Sequence, residues 1–142
     1  MEEAVIDASV AIKWVVAEPL SEQAISLLEA TRMFAPAHWQ AEAVNGLWGW
    51  VYRGGMSAED ASDRASRLLY APVAITPLGS LLGRALELSI AMRVTIYDSL
   101  YVALAEARGI PLVTNNQKLL RQMANNPALA ALAQPLASLP LP

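Results

Sequence analysis

The chain has no cysteine and a single histidine, His38, among 142 residues. Disulfides, thiol nucleophiles and zinc–thiolate centres are therefore excluded. A multi-histidine metal site is impossible, and a Ser-His-Asp triad would have to use His38. Charge is scarce as well: charged residues make up 16% of the chain against 55% hydrophobic. That balance excludes disorder and predicts a folded protein with apolar surface to spare. Thirteen acids against ten Lys plus Arg leave a net charge of −3, so the molecule as a whole does not attract nucleic acid. No apolar run reaches the roughly 18 residues needed to cross a bilayer, because Lys13, Asp98 and Glu106 interrupt the longest ones. Glu2 and Glu3 stand where a secretory leader would start with positive charge. The expectation is a soluble, cytoplasmic protein without a membrane partner, one domain over 1–142.

Among the thirteen acids, aspartate is the scarcer. Asp7, Asp60, Asp63 and Asp98 are the only four. Asp7 and Asp98 sit inside apolar runs, where a carboxylate is costly unless something pairs with it. Beyond Glu106 there is no acid at all, while Arg108, Lys118 and Arg121 remain. This local basicity suits a phosphate near the carboxyl-terminal third, and it equally suits a solvated surface.

Helical and strand signals alternate along the chain. Strands are expected over 4–8, 33–35, 73–75, 110–114 and 136–139. Helices are expected over 9–16, 21–30, 38–53, 78–92, 97–108 and 118–123, with one more opened by the capping box Ser57-Ala58-Glu59-Asp60. Gly109 reads as a C-cap, and His38 as a helix-start residue. The tryptophans and Met92 read as core or subunit interface. Short strands, apolar on both faces and separated by helices, predict a three-layer α/β/α sandwich around a parallel sheet of four to five strands.

In such a sheet, ligands bind outside the carboxyl ends of the strands. Asp7 ends the first strand, Asn116 follows the fourth, Asp98 opens a helix, and Glu42 lies one turn into the helix after the second. These positions, far apart in sequence, can therefore converge on one rim. Hard oxygen donors without His or Cys suit Mg²⁺ or Mn²⁺, and carboxylates gathered without a cation would repel or take up protons. Each residue has an ordinary alternative. Asp7 fits a strand-end turn, Asp98 fits a capping box with Thr95, and Glu42 fits an exposed helix face. Asn45, three residues after Glu42, can bond to it in either case. A dinucleotide-binding fold is excluded because no Gly-x-Gly-x-x-Gly follows the first strand. A receiver domain is excluded because Val73-Ala74-Ile75-Thr76-Pro77 offers no acid.

Four segments, in order, carry a family resemblance. They are Val5-Ile6-Asp7-Ala8-Ser9 with the helix to Trp14; Pro36 through Glu42 and Asn45 to Leu47; Thr95-Ile96-Tyr97-Asp98-Ser99-Leu100-Tyr101 with the helix to Ala105; and Leu112-Val113-Thr114. Together they resemble PIN-domain proteins, specifically the VapC-type toxins of bacterial and archaeal toxin–antitoxin pairs. The resemblance implies an Mg²⁺-dependent endoribonuclease that cuts RNA, pairs with a small antitoxin and forms a homodimer. It implies that Asp7 and Asp98 hold the metal, with Glu42 as ligand or as orienter of the attacking water. Ser9 and Thr114 would bond to the acids or to a metal water. Where the family has a fourth acid this chain has Asn116, a weak outer ligand without charge. That departure leaves a second reading open, a catalytically weak PIN-fold protein that sequesters antitoxin or RNA. The expected dimer face is the aromatic helix around Trp48, Trp50 and Tyr52.

Overall fold

The computed structural model describes residues 1–142. Five strands form one parallel sheet: β1 (Glu3–Ile6), β2 (Arg32–Pro36), β3 (Val73–Thr76), β4 (Leu112–Thr114) and β5 (Ala133–Pro135), in the order β3-β2-β1-β4-β5. The helices are α1 (Ala8–Ala11), α2 (Ser21–Ala30), α3 (Trp39–Tyr52), α4 (Ala58–Leu69), α5 (Leu82–Met92), α6 (Ile96–Arg108), α7 (Gln117–Met123) and α8 (Pro127–Ala130). Helices flank the sheet as the alternating pattern predicts. The central strands β1 and β4 are buried almost throughout, as strands covered on both faces must be. Helix α6 is buried from Ser99 through Ala105 and packs against β1, β2 and β4. It closes on Gly109, whose left-handed φ of 66° ends the helix without a Cβ clash.

Several boundaries differ from the sequence reading: β1 ends at Ile6 rather than 8, because Asp7 caps the helix that follows, and β4 starts at Leu112 rather than 110. The first helix is only α1, tightened into a 3-10 turn over Ile12–Trp14. Helix α5 starts at Leu82 rather than 78, after a turn held by Leu81 N–H to the Leu78 carbonyl. The fifth strand lies at Ala133–Pro135, and Leu136–Ser138 form a 3-10 turn instead of the strand expected over 136–139. Leu136 is fully buried there, so its apolar character serves the core and not a ladder. No single helix is long and apolar enough to cross a membrane; α5 and α6 reach that length only across a 113° bend.

The core is one cluster of 33 buried residues, with Trp39, Tyr101 and Leu47 among its largest members. Tight packing between α3 and the segment after β1 sets the spacing of the site. A Cβ on Gly46 would lie 2.5 Å from the Ile12 side chain, so only glycine permits this approach without a shift.

Candidate active site

The first acid is fixed by the turn it caps. Asp7 is the N-cap of α1, its Oδ1 accepting from Val10 N–H at 3.3 Å and from the Ser9 hydroxyl at 2.6 Å. Its Oδ2 accepts from the Thr114 hydroxyl at the end of the neighbouring strand β4. Ser9 Oγ in turn accepts from Asn115 N–H at 2.9 Å, and Thr114 Oγ1 accepts from Asn116 N–H at 3.0 Å. The two hydroxyls thus stitch the turn after β1 to the turn after β4. Asp7 is only 4% exposed. Burial pushes its carboxyl up to about 6; the hydrogen bonds from Ser9, Thr114 and Val10 pull the other way, and the charge of Asp98 adds to the rise.

Asp98 sits in the first turn of α6, whose N-cap Thr95 accepts from the Asp98 N–H at 3.2 Å. The capping geometry and the site geometry therefore coexist at this residue. Burial raises the Asp98 carboxyl above the usual range, against the pull of Asn116, Lys118 and His38. Asn116 is the N-cap of α7: its Oδ1 accepts from Leu119 N–H at 3.1 Å, while Nδ2 faces Asp98 Oδ2 at 3.4 Å. The amide nitrogen, not the carbonyl oxygen, is the atom turned toward Asp98. Neither Asp7 nor Asp98 forms an ion pair with a cationic side chain.

Glu42 lies in the first turn of α3 and is held from the opposite wall. The Tyr101 hydroxyl, carried by α6, donates to Glu42 Oε1 at 2.6 Å. Burial, followed by the adjacent Glu42 charge, pushes the Tyr101 phenol far above its ordinary value, so it stays a donor at any physiological pH. His38 Nε2 donates to the Tyr97 carbonyl at 2.9 Å and lies 3.4 Å from Glu42 Oε1. Its Nδ1 is buried without a partner. Asn45 is exposed on the same helix, and the hydrogen bond to Glu42 that its spacing allows is not formed.

A cavity of about 470 Å³ gathers Asp7, Ser9, Glu42, Asn45, Asp98 and Asn116, all expected at the site from sequence. Thr114 is completely buried behind it, bonded to Asp7. The same cavity is lined by His38, Tyr97 and Tyr101, which sequence reasoning did not assign to the site. The acids and His38 do not close into a ready-made chelating cluster of three. Mg²⁺ does not require one, because it retains several waters and takes one or two carboxylates together with substrate phosphates. A buried and a half-buried carboxylate, neither ion-paired and edged by the Ser9 hydroxyl, fit such an ion by charge and by donor chemistry.

The family model of the PIN domain matches residues 4–126, a span that contains Asp7, Glu42, Asp98 and Asn116. This chain belongs to the PIN-domain family. Ribonuclease VapC12 of Mycobacterium tuberculosis is 30% identical over 129 residues, covering 91% of this chain and 98% of that protein. Among solved structures, PAE2754 from Pyrobaculum aerophilum superposes with a TM-score of 0.66 at 23% identity, covering 92% of this chain and 90% of its own. A toxin–antitoxin complex from Klebsiella pneumoniae gives a TM-score of 0.58 at 16% identity, over 81% of this chain and 88% of the other. At these identities the two structures speak for the fold, and the five-stranded parallel sheet flanked by helices is the PIN-like α/β arrangement.

Proposed function

We propose that this PIN domain is an Mg²⁺-dependent endoribonuclease, Mn²⁺ serving as an alternative ion, and that it acts in the cytoplasm as the toxin of a toxin–antitoxin pair. The observation that carries the reading is the Asp7–Asp98 pair: one buried and one half-buried carboxylate on one cavity at the carboxyl edge of the sheet, neither of them in an ion pair with a cationic side chain. Similarity to a protein named as a ribonuclease, over nearly all of both chains, supports the RNA substrate. The fold shared with a toxin–antitoxin complex supports an antitoxin partner.

Asp7 and Asp98 would hold the metal, with Asn116 at its margin. When bound, the ion supplies Lewis-acid stabilisation of phosphoryl oxygens and lowers the pKa of a water. Ser9 and Thr114 keep both Asp7 oxygens oriented through hydrogen bonds that need no charge. Tyr101 holds Glu42 Oε1, which leaves Oε2 to accept a proton from, and so orient, a water in the cavity. The test is cleavage of a fluorescent RNA by the purified chain with Mg²⁺ and with chelator; cleavage that persists in chelator overturns metal dependence. Asn116 favours the second reading, a weakly catalytic protein that sequesters antitoxin or RNA, because its carbonyl oxygen is spent on the α7 cap. No cleavage in Mg²⁺ or Mn²⁺, with antitoxin binding retained, would establish that reading.

Replacing Asn116 with Asp separates these roles. Asp keeps the helix cap and turns a negative oxygen toward Asp98, where an amide donor now sits. At an effective dielectric of about 20, a unit charge about 5 Å from a divalent ion contributes several kcal/mol, most of it offset by desolvation and by repulsion from the two aspartates. The expected net result is Mg²⁺ binding about tenfold tighter, or about 1.4 kcal/mol, with a lower melting temperature in the metal-free protein. Calorimetric titration of both proteins checks this, and equal affinities would place position 116 outside the metal's reach.

The chain is also proposed to be a homodimer. The expected aromatic face is partly free: Trp48 and Tyr52 are exposed and stacked with ring centroids 5.3 Å apart, while Trp50 is half-buried. A second face, Leu82, Leu86 and Ile90 on successive turns of α5, is 46%, 54% and 72% exposed. None of these three lines the cavity, whereas Trp48 continues the helix face of the cavity residue Asn45. The α5 face is thus the better dimer contact, since it leaves the cavity mouth open. Light scattering at micromolar concentration should give twice the monomer mass. Ile90→Glu should give a monomer and Trp48→Glu should not; the reverse pattern would assign the interface to α3.

A further inference from the structure

Hydrolysis as proposed uses the acidic wall of the cavity and, of its aromatic wall, only Tyr101. His38 stands between two tyrosines there, its ring centroid 4.7 Å from Tyr101 and 6.2 Å from Tyr97. Tyr101 is 1% exposed and committed to Glu42, and the His38 side chain is 10% exposed. Tyr97 differs: it is 62% exposed, next in sequence to Asp98, and it faces the same cavity. Its side chain adds little to the core, yet its backbone is tightly held. The His38 ring donates to its carbonyl, and it lies in the first turn of a helix capped by Thr95. A bare ring on a fixed backbone offers a free aromatic face beside the two carboxylates.

The cavity lining contains no lysine or arginine, so no phosphate of a substrate strand is paired by a cationic side chain inside it. Nucleobases offer another handle, because every base has a π-face and stacking on an aromatic side chain needs no charge. We infer that Tyr97 is the seat on which one nucleobase flanking the scissile phosphate stacks, with His38 as the positioning residue that holds its backbone. The inference rests on the RNA-hydrolysis reading of the site and adds a substrate-binding subsite to it. Its ligand is a base of single-stranded RNA, since a base inside a duplex has no free face.

The test uses the full chain carrying Asp7→Asn to prevent cleavage, and a short fluorescein-labelled single-stranded RNA followed by anisotropy. Adding Tyr97→Ala should weaken binding by about 5- to 150-fold, the equivalent of about 1–3 kcal/mol. Tyr97→Phe, which keeps the ring, should bind almost as the parent does. An abasic nucleotide walked along the RNA should weaken binding at one position in the parent and have no further effect there with Tyr97→Ala. Because Tyr97 is exposed and His38 bonds its backbone, circular dichroism should show all three proteins equally folded. Parent-like binding by Tyr97→Ala, or an abasic effect that stays additive at every position, overturns the stacking seat while leaving the nuclease reading intact. An unsubstituted chain that neither binds nor cleaves the RNA in Mg²⁺ overturns both.

Discussion

Asp7→Asn and Asp98→Asn should each lower metal-dependent RNA cleavage by about 10²–10³-fold or more, the range lost when a preorganised electrostatic group is removed from an active site. The two substitutions keep size and hydrogen-bonding shape while deleting one charge each. Asn at position 7 retains an oxygen for the Val10 N–H, so the cap on α1 survives. Asn at position 98 keeps the α6 start, because that cap is made by Thr95 with the backbone of residue 98. The loss therefore reports on charge at the metal position and not on folding. Circular dichroism and melting curves on the same samples make the comparison, and near-normal cleavage by either variant would remove that residue from the metal site. Excess Mg²⁺ should restore little, since a missing carboxylate changes the geometry of the bound ion as well as its affinity.

What the sequence discloses about the site, and what it hides, follows from the range of the interactions. Asp7, Glu42 and Asp98 are legible because an open parallel sheet brings the carboxyl ends of its strands to one edge, so acids far apart along the chain share a rim once the strand pattern is read. Ser9 and Thr114 are legible as hydroxyls at the same two strand ends. Tyr101 and His38 are not, because their partners, Glu42 and Tyr97, lie 59 residues away in the chain, and no local spacing announces such a pair. The apolar run around Tyr101 reads simply as core, and its hydroxyl gives no sign of a task. Asn116 is legible as a departure from the family pattern, but the direction of its amide is set by the unpaired Leu119 N–H at the start of α7, a demand that appears only once the helix is placed. The displaced fifth strand has the same origin. The Leu136–Leu139 segment has the apolar content of a strand, yet the ladder with β4 is completed by Ala133–Pro135, and Leu136 fills the core instead.

Stability of the metal-free protein should fall, not rise, as pH increases from about 4 to 7.5. The Asp7 carboxyl moves from an ordinary value of 3.8 to about 6 in the folded chain, so between those values the folded state holds a proton that the unfolded state has released. Unfolding stability changes with pH as the unfolded minus the folded proton count, which is negative here. The contribution is therefore fully present below about 3.8 and is lost as pH rises through about 6. A rise of that size is worth about 3 kcal/mol. Asp98, raised by burial as well, acts in the same direction. The opposing group is Glu106, which Arg84 holds below its ordinary 4.5, so its contribution is lost only as the medium becomes more acidic than that. It is also partly exposed and screened, and it leaves the window above pH 5 to the aspartates. Urea unfolding in chelator at pH 5 and pH 7.5 should show the drop. Asp7→Asn should flatten the profile and exceed the parent in stability at pH 7.5. Mg²⁺ should restore the parent at pH 7.5 and do much less at pH 5, because an ion that replaces the proton is bound by the ionised carboxylate. A metal-free profile that is level or rising over this range would mean that the Asp7 charge is already balanced within the protein, and the case for a cation between Asp7 and Asp98 would lose its physical basis.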